Sequence, residues 1–106
     1  MNRSATRRHL NREIFLALWK IHILHHAAKG GVVGNWMLAE LRHHGYNLSP
    51  GTLYPLLARM ERFGWLRGDR PSGRSDRRRR RYRITAEGRL VLKLVMRQVG
   101  ELRAEL

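Results

Sequence analysis

The side chains best suited to binding a partner are concentrated in one short stretch of this sequence, residues 48–66. A helix predicted there carries hydroxyl groups and planar cations on one side, and a glycine near its start leaves the backbone open to close approach. In chain order these residues are Gly51, Thr52, Tyr54, Arg59 and Arg62. A short helix with such a front suits insertion into the major groove of DNA. The alternative is an ordinary amphipathic surface helix.

The opposite side of this predicted helix is apolar and must be buried. Apolar residues recur at i, i+3, i+4, i+7 and i+10, namely Leu53, Leu56, Leu57, Met60 and Phe63. Ser49 is a good N-cap, and Pro50 suits the first helical position, where its missing N–H costs nothing. Pro55 lies one turn further in, so the helix either bends there or begins nearer Thr52.

The histidines are the candidates for metal binding, because the chain contains no cysteine. His22 and His26 lie four residues apart on a predicted helix, with His25 alongside, and could share an ion. No carboxylate close to them in sequence completes a ligand set, so we expect solvated histidines and no metal. His43 and His44 end a predicted helix, where a cation interacts well with the helix dipole.

Composition excludes most catalytic chemistry and indicates a polyanionic partner. Without cysteine there are no disulfides, thiolate metal sites or cysteine nucleophiles. No glycine-rich phosphate loop or nucleophile elbow occurs, and the eight carboxylates are mostly spaced among arginines, so we predict neither an enzyme nor a cofactor. The net charge of +14 points to DNA, RNA or an acidic membrane surface.

The length of 106 residues predicts one domain, whose own core gives only marginal stability. The apolar segment 14–24 follows basic residues and imitates a signal peptide. However, Lys20 and His22 interrupt it, and it is too short to span a bilayer. We therefore expect no membrane partner and a cytoplasmic location.

The N-terminal half predicts a basic arm followed by a helix-turn-helix unit. Residues 1–10 are polar and basic without an apolar period, and should form a flexible arm. Asn11 is a plausible N-cap for a first helix that ends at Gly30, and Asn35 for a second that ends at Gly45. A short turn then leads to the third helix with its polar face.

Beyond Gly64 the period of the apolar residues changes from 3.6 to 2, which indicates strands. Residues 65–67 and 82–84 predict the two strands of a hairpin, with a loop at 71–76. A hairpin after a helix-turn-helix makes a winged helix. We expect arginines of this wing to grip phosphates, the candidates being Arg74, Arg77, Arg78 and Arg80. The alternative is a solvated or disordered charge run.

The C-terminal segment, residues 86–106, predicts a dimerisation helix capped by Thr85. Apolar residues follow one another at steps of 3, 4, 3 and 4, as in a coiled-coil seam: Leu92, Val95, Val99, Leu102 and Leu106. Leu90, Val91 and Leu94 lie off this seam and can pack on the helix's own domain. Because two apolar sides exceed what a monomer can bury, we predict a homodimer. The alternative is a single core-facing helix with a broad apolar stripe.

These residues resemble the signature of the PadR family of transcriptional regulators. The motifs are LSPGTLYPLL at residues 48–57, Met60-Glu61, Gly64-Trp65-Leu66, and RYRITAEG at residues 81–88. The resemblance implies a mainly α fold with a small β-hairpin, namely a winged helix-turn-helix over 11–85 plus a C-terminal dimerisation helix. It also implies a dimeric repressor whose DNA contacts include Ser49, Thr52, Tyr54 and Pro55.

The resemblance is to the short branch of the family, in which the terminal helix packs on the partner's first helix. That arrangement implies interface positions for Ile14 and Leu18. Two features depart from the family pattern: residues 34–36 are Gly-Asn-Trp instead of a glycine-tyrosine pair, and no tryptophan follows Trp65 to sandwich a planar drug. A small-molecule effector of undefined identity stays open. Trp19 is the nearest aromatic candidate, with a structural core tryptophan as the alternative.

We therefore predict a sequence-specific regulator of transcription, a repressor that binds double-stranded DNA as a homodimer on an inverted-repeat operator. Two alternatives stay open: a non-specific RNA-binding or ribosome-associated basic protein, and an adaptor module that has lost DNA binding. Residues 49–52, Ser-Pro-Gly-Thr, favour the sequence-specific regulator over both alternatives, because this uncharged helix start permits close contact with DNA and is not suited to charge attraction alone.

Overall fold

The computed structural model describes residues 2–69 and 78–106, so the predicted phosphate contacts Arg74 and Arg77 lie outside the described part. Its elements are α1 (Arg3–Leu10), a π-helical turn (Asn11–Phe15), α2 (Leu16–Ala27), β1 (Val32–Val33), α3 (Gly34–His43), α4 (Pro50–Arg62), β2 (Leu66–Gly68), β3 (Arg81–Ile84) and α5 (Ala86–Glu105). This mainly helical architecture with a small sheet confirms the predicted fold class. Among the described residues, no helix combines the length and apolarity that crossing a membrane requires.

Residues Arg3–Leu10 form a helix, whereas a flexible basic arm is predicted for residues 1–10. Asn2 caps α1, because its side-chain oxygen accepts a hydrogen bond from the Ala5 N–H at 2.8 Å. Asn11 is not an N-cap, since it lies inside the π-helical turn that joins α1 to α2. A polar segment needs no apolar period of its own when it extends a helix stabilised by packing elsewhere. The sequence pattern missed α1 for that reason.

The core lies between α2, α3 and α4, and it contains most of the predicted apolar face of α4. Leu53, Leu56, Leu57 and Met60 are completely buried. The same cluster includes Trp19, Ile23, Leu24, Met37 and Leu41 from α2 and α3. Phe63, the last residue of the predicted face, is instead 50% exposed, because it follows the end of α4.

α3 begins at Gly34, one residue before the predicted cap Asn35, and backbone carbonyls replace a side-chain cap. The Gly34 N–H donates to the Arg80 carbonyl at 3.3 Å, and the Asn35 N–H to the Arg78 carbonyl at 2.8 Å. These bonds satisfy donors that the start of a helix leaves unpaired. The helix-turn-helix and the wing are therefore joined through their backbones.

The sheet is antiparallel with strand order β1-β3-β2, and it contains one strand more than the predicted hairpin. Val32 pairs with Tyr82, and Leu66 with Ile84, so β3 is the central strand. β1 has only two residues, too few to show a period of 2 in the sequence. The arginines at 77–81 precede and enter β3, and of those in the described part of the chain, 78–81, only Arg81 lies on the strand.

α5 is a helix of 20 residues that docks on the domain through its first turns. Thr85 caps it as predicted, since its hydroxyl oxygen accepts a hydrogen bond from the Gly88 N–H at 2.9 Å. The same hydroxyl donates to the Gly64 carbonyl at 2.5 Å and so ties the helix start to the end of α4. Val91 and Leu92 then pack against the core.

Two apolar residues of α5 face solvent, although we expected them to pack on the domain. Leu90 is 50% exposed and Leu94 is 53% exposed. Leu92, assigned to the dimer seam, packs inward. Because an α-helix turns once every 3.6 residues, Leu90 and Leu94 share a side that Leu92 does not. The spacing showed two apolar sides, but not which of them meets the domain.

Candidate nucleic-acid interface

The start of α4 presents the predicted contact residues on one surface. Ser49 occupies the N-cap position with extended backbone, and Pro50 lies in the first turn, both as predicted. The Ser49 hydroxyl lies 3.4 Å from Thr52 Oγ1 and makes no capping bond to a backbone N–H. Pro55 lies inside α4, which continues through it. The exposed residues of this surface are Ser49, Gly51, Thr52 and Pro55.

The remaining predicted contacts on α4 differ in exposure. Tyr54 is half-buried and packs against the core, whereas the sequence analysis placed it on the polar front. Arg59 is half-buried, and Arg62 is exposed in the last turn. The front of α4 thus combines hydroxyl groups at its start with cations further along.

A cleft of about 640 Å³ lies beside the start of α4. Arg8 lines it from α1, Arg12 from the π-helical turn, and Arg42 and Arg59 from α3 and α4. Arg42 also donates from Nε to the Leu48 carbonyl at 3.2 Å, and thereby supports the turn before α4. Guanidinium groups bind phosphate oxygens through charge-assisted, often bidentate hydrogen bonds. The cleft is therefore suited to a phosphate group that lies against the helix entry.

Sequence reasoning missed the contribution of Arg8 and Arg12 to this cleft. Residues 1–10 were expected to form a flexible basic arm, in which Arg8 has no fixed position, and Arg12 falls in the predicted first helix without a predicted contact. The available signal was their spacing of four residues, which puts both side chains on one side of a continuous helix.

Arg80 is tied to the base of the wing rather than directed away from it. Its guanidinium forms an ion pair with Glu61 at 3.3 Å and donates from Nε to the Asp69 carbonyl at 3.0 Å. The same group lies over the ring of Tyr82, 5.3 Å from its centroid. Glu61 also accepts a hydrogen bond from the Gly68 N–H at 2.7 Å. These contacts give Arg80 a structural function in holding the wing on α4.

The seam predicted for dimerisation runs out of the domain core along α5. Its inner members are covered, with Leu92 against the core and Val95 half-buried. Its outer members, Val99, Leu102 and Leu106, are exposed to 37%, 56% and 95% respectively. The last turns of α5 therefore expose apolar residues that its own domain does not cover.

The π-helical turn and α2 contribute one exposed and one half-buried candidate for that interface. Ile14 is 54% exposed, whereas Leu18 is half-buried. Trp19, the predicted effector contact, is 3% exposed, and its ring meets that of Tyr46 at 6.2 Å between centroids. Within the described chain its indole N–H has no hydrogen-bond partner, and its side chain borders the cleft. The core-tryptophan alternative fits this burial.

Comparison with known proteins places the chain in a family. Residues 23–94 match the family described as "Transcriptional regulator PadR-like family". The chain is 46% identical over 94 residues to transcriptional regulator Rv3488 of Mycobacterium tuberculosis. The aligned region covers 89% of this chain and 87% of that protein. It is also similar to the solved structure of a PadR family regulator from Eggerthella lenta, with 29% identity, a TM-score of 0.67, and coverage of 96% of this chain and 86% of that one.

The fold is similar to that of a PadR-like transcription factor from Bacteroides fragilis. Its TM-score is 0.75 at 20% identity, over 91% of this chain and 93% of that one. The family match spans well over half of the chain, and the 46% identity to the Mycobacterium relative extends over most of both chains. The chain therefore belongs to the PadR-like family of transcriptional regulators, which are not enzymes.

Proposed function

We propose that this regulator is a repressor that binds duplex DNA sequence-specifically, as a homodimer on an inverted-repeat operator. The observation that carries the proposal is the juxtaposition of the exposed entry of α4 with the arginine-lined cleft. Uncharged small residues at the helix entry permit close approach to base edges, and the arginines beside them match the phosphates that flank a groove. Family membership supports DNA as the partner, and the cytoplasm as its place of action.

The homodimer is supported by the apolar surface of α5. Val99, Leu102 and Leu106 are exposed on the helix side that continues from the core-facing residues. A second copy of the chain would cover these residues, and Ile14 of the π-helical turn is also exposed and could join that interface. A two-fold dimer would place two recognition helices on one face of DNA about 34–36 Å apart, one helical turn, and would require an inverted repeat.

Selection of bound fragments from random duplex DNA, at increasing salt, tests the proposal. We expect enrichment of a palindromic sequence, and an affinity for it at least about 10³-fold above that for random duplex. Parallel titrations with duplex RNA and single-stranded RNA are the control. Enrichment of no sequence, together with equal affinity for RNA and DNA, would instead establish the non-specific nucleic-acid binder.

Replacing Arg59 should weaken recognition of the operator more than binding to DNA in general. Arg59 lies on α4, the helix proposed to enter the groove, and we propose that its guanidinium reaches a base edge. We therefore expect Arg59→Ala to weaken operator binding about 10-fold, about 1.4 kcal/mol, and to reduce discrimination between sequences. Arg8→Ala, on α1, is the control. It should weaken both duplexes equally and flatten the salt slope by about 0.9 for one lost phosphate contact. Equal losses on operator and random DNA for Arg59→Ala would reject the base contact.

Tyr54 should act through its hydroxyl group, because its ring packs against the core while the nearby contact residues Thr52 and Pro55 are exposed. We expect Tyr54→Phe to reduce operator affinity about 5-fold, the value of one hydrogen bond of about 1 kcal/mol, and to change stability by less than about 0.5 kcal/mol. Tyr46→Phe, a half-buried tyrosine in the turn after α3, should leave DNA affinity unchanged. A lowered melting temperature with unaltered affinity would assign Tyr54 to the core alone.

A further inference from the structure

Three histidines from two parts of the chain, His22 and His26 on α2 and His44 after α3, come together in the folded domain. One ring nitrogen from each lies within 4.8 Å of the other two. The ring centroids of His22 and His44 are 4.9 Å apart, with an interplanar angle of 35°. From the sequence, His22 and His26 could share an ion with His25 alongside, whereas His44 lies 18 residues beyond His26 and joins them only in the folded chain.

We propose that His22, His26 and His44 form a binding site for a divalent transition-metal ion, with zinc as the type case. Imidazole nitrogen is a preferred ligand of zinc, nickel and copper, and three histidines with an open fourth position form a known zinc arrangement. The two ligands on α2 are spaced i, i+4, so their side chains project from the same side of one helix.

The geometry requires only a modest closure of the three side chains. Zinc–nitrogen bonds of about 2.0–2.1 Å in a tetrahedron place the ligand nitrogens about 3.3 Å apart. His44 is exposed and lies beyond the last helical residue of α3, so rotation about its side-chain bonds can supply the closure. His22 and His26 are half-buried, which fixes the part of the site that α2 contributes.

The surroundings of His22 and His26 favour the neutral rings that a metal ion needs, because the pKa of each is lowered. Burial lowers the pKa of His22, and the neighbouring His44 and His26 lower it further. Burial also lowers the pKa of His26, followed in size by the effect of His25. A metal ion competes with protons for the same ring nitrogens, so neutral imidazoles bind it without first releasing a proton.

Glu40 is placed to orient one of the ligands. Its carboxylate lies 3.0 Å from Nε2 of His44, and both residues lie at the C-terminal end of α3. A carboxylate that holds the second nitrogen of a ligating histidine fixes the ring orientation and raises its basicity. In this proposal Glu40 acts as a positioning residue for His44.

A metal ion at this site would connect α2 to the end of α3. An effect of the ion on DNA binding depends on the proposed function. A metal ion held by His22, His26 and His44 would fix the end of α3 against α2. The chain from His44 leads directly through the turn at 45–49 into α4. We therefore infer that the bound ion restrains the turn and tightens operator binding, by at least about 5-fold, the lower end of typical allosteric couplings.

Metal binding is tested without DNA on protein that carries no histidine tag. Zinc is titrated by calorimetry, and cobalt replaces it as a spectroscopic probe whose visible absorption reports four-coordinate geometry. We expect one ion per chain. His26→Gln and His44→Gln should each weaken binding more than about 100-fold, and Glu40→Gln about 10-fold, within the range for a lost orienting partner. Circular dichroism establishes that each variant is folded.

Neighbouring histidines provide the matched controls. His25→Gln and His43→Gln remove exposed imidazoles adjacent to ligands, and should leave zinc affinity and the cobalt spectrum unchanged. Wild-type protein that binds no zinc at micromolar concentration would overturn the site. Equal losses in the controls and in His44→Gln would do the same, because they would indicate loose association with surface histidines.

The coupling to DNA is measured separately, on the operator obtained by selection. Zinc should tighten operator binding by the wild type and have no effect on His44→Gln. Unchanged operator affinity in a protein that binds zinc stoichiometrically would reject the regulatory step and leave the metal site in place. Absence of specific DNA binding under all conditions would instead reject the proposed function, while the DNA-free titrations still decide the site.

Discussion

Val99→Asp should convert the protein into a folded monomer with operator affinity near its non-specific level, a loss of at least about 10³-fold. Val99 is 37% exposed in the single chain, so an aspartate there can reach water and the monomer can fold. In the proposed dimer the same carboxylate would be buried next to its symmetry mate, which desolvation and like-charge repulsion both oppose. Analytical ultracentrifugation of both proteins, followed by operator titration, measures the effect.

Ala104→Asp is the matched control, since it introduces the same side chain and charge on α5, on the side of the helix away from the seam. Residue 104 is exposed, and the variant should remain a dimer with unchanged operator affinity. A Val99→Asp protein that still sediments as a dimer and binds palindromic DNA tightly would show that α5 pairs through a different surface. A wild-type chain that stays monomeric at micromolar concentration would reject the proposed dimer itself.

Gly88→Ala should destabilise the domain by about 3 kcal/mol, the upper end of the usual cost of overpacking. Gly88 is buried in the first turn of α5, and a Cβ atom there would overlap the backbone carbonyl of Trp65 and approach the Ile84 side chain at 2.8 Å. A backbone carbonyl within a hydrogen-bonded turn cannot move as a flexible side chain can, and this one accepts the Thr85 N–H. The helix would therefore have to shift away from the wing.

Thermal unfolding measures this effect, and a cost of about 3 kcal/mol corresponds to a melting temperature lower by about 12–24 °C in a domain of this size. Gly100→Ala is the control, because nothing lies within 4 Å of a Cβ at that position of the same helix. It should raise stability by about 0.4–1 kcal/mol. An unchanged melting temperature for Gly88→Ala would show that α5 is not seated against the Trp65 turn.

The sequence allowed prediction of the elements whose signals are local. The apolar face of α4 and the cap of α5 at Thr85 follow from spacing and residue type within one helix, and both are confirmed. Strand β1 and helix α1 were not predicted. Both depend on residues elsewhere in the chain, which a short stretch of sequence does not contain. Tertiary packing decides such cases over local preference.

The candidate site divides in the same way. The residues at the entry of α4 could be predicted, because their types and positions on one helix already indicate a contact surface. The cleft could not, since Arg8 and Arg42 are brought together with Arg59 only by folding. In the sequence Arg80 is equivalent to its neighbours in the arginines at 77–81, and its structural function is visible only from its contacts with Glu61, the Asp69 carbonyl and the Tyr82 ring.

Helix α5 packs on its own domain through its first turns and exposes apolar residues along its last turns. In the proposed dimer, the stability of the fold therefore depends on the concentration of the chain. Association favours the folded chain by mass action, so the melting temperature should rise with protein concentration. Each tenfold increase in the concentration of the chain adds about 1.4 kcal/mol to the free energy that favours association. Where most of the chain is monomeric, the concentration of the dimer rises with the square of the concentration of the chain, so operator occupancy would respond more steeply than expression itself.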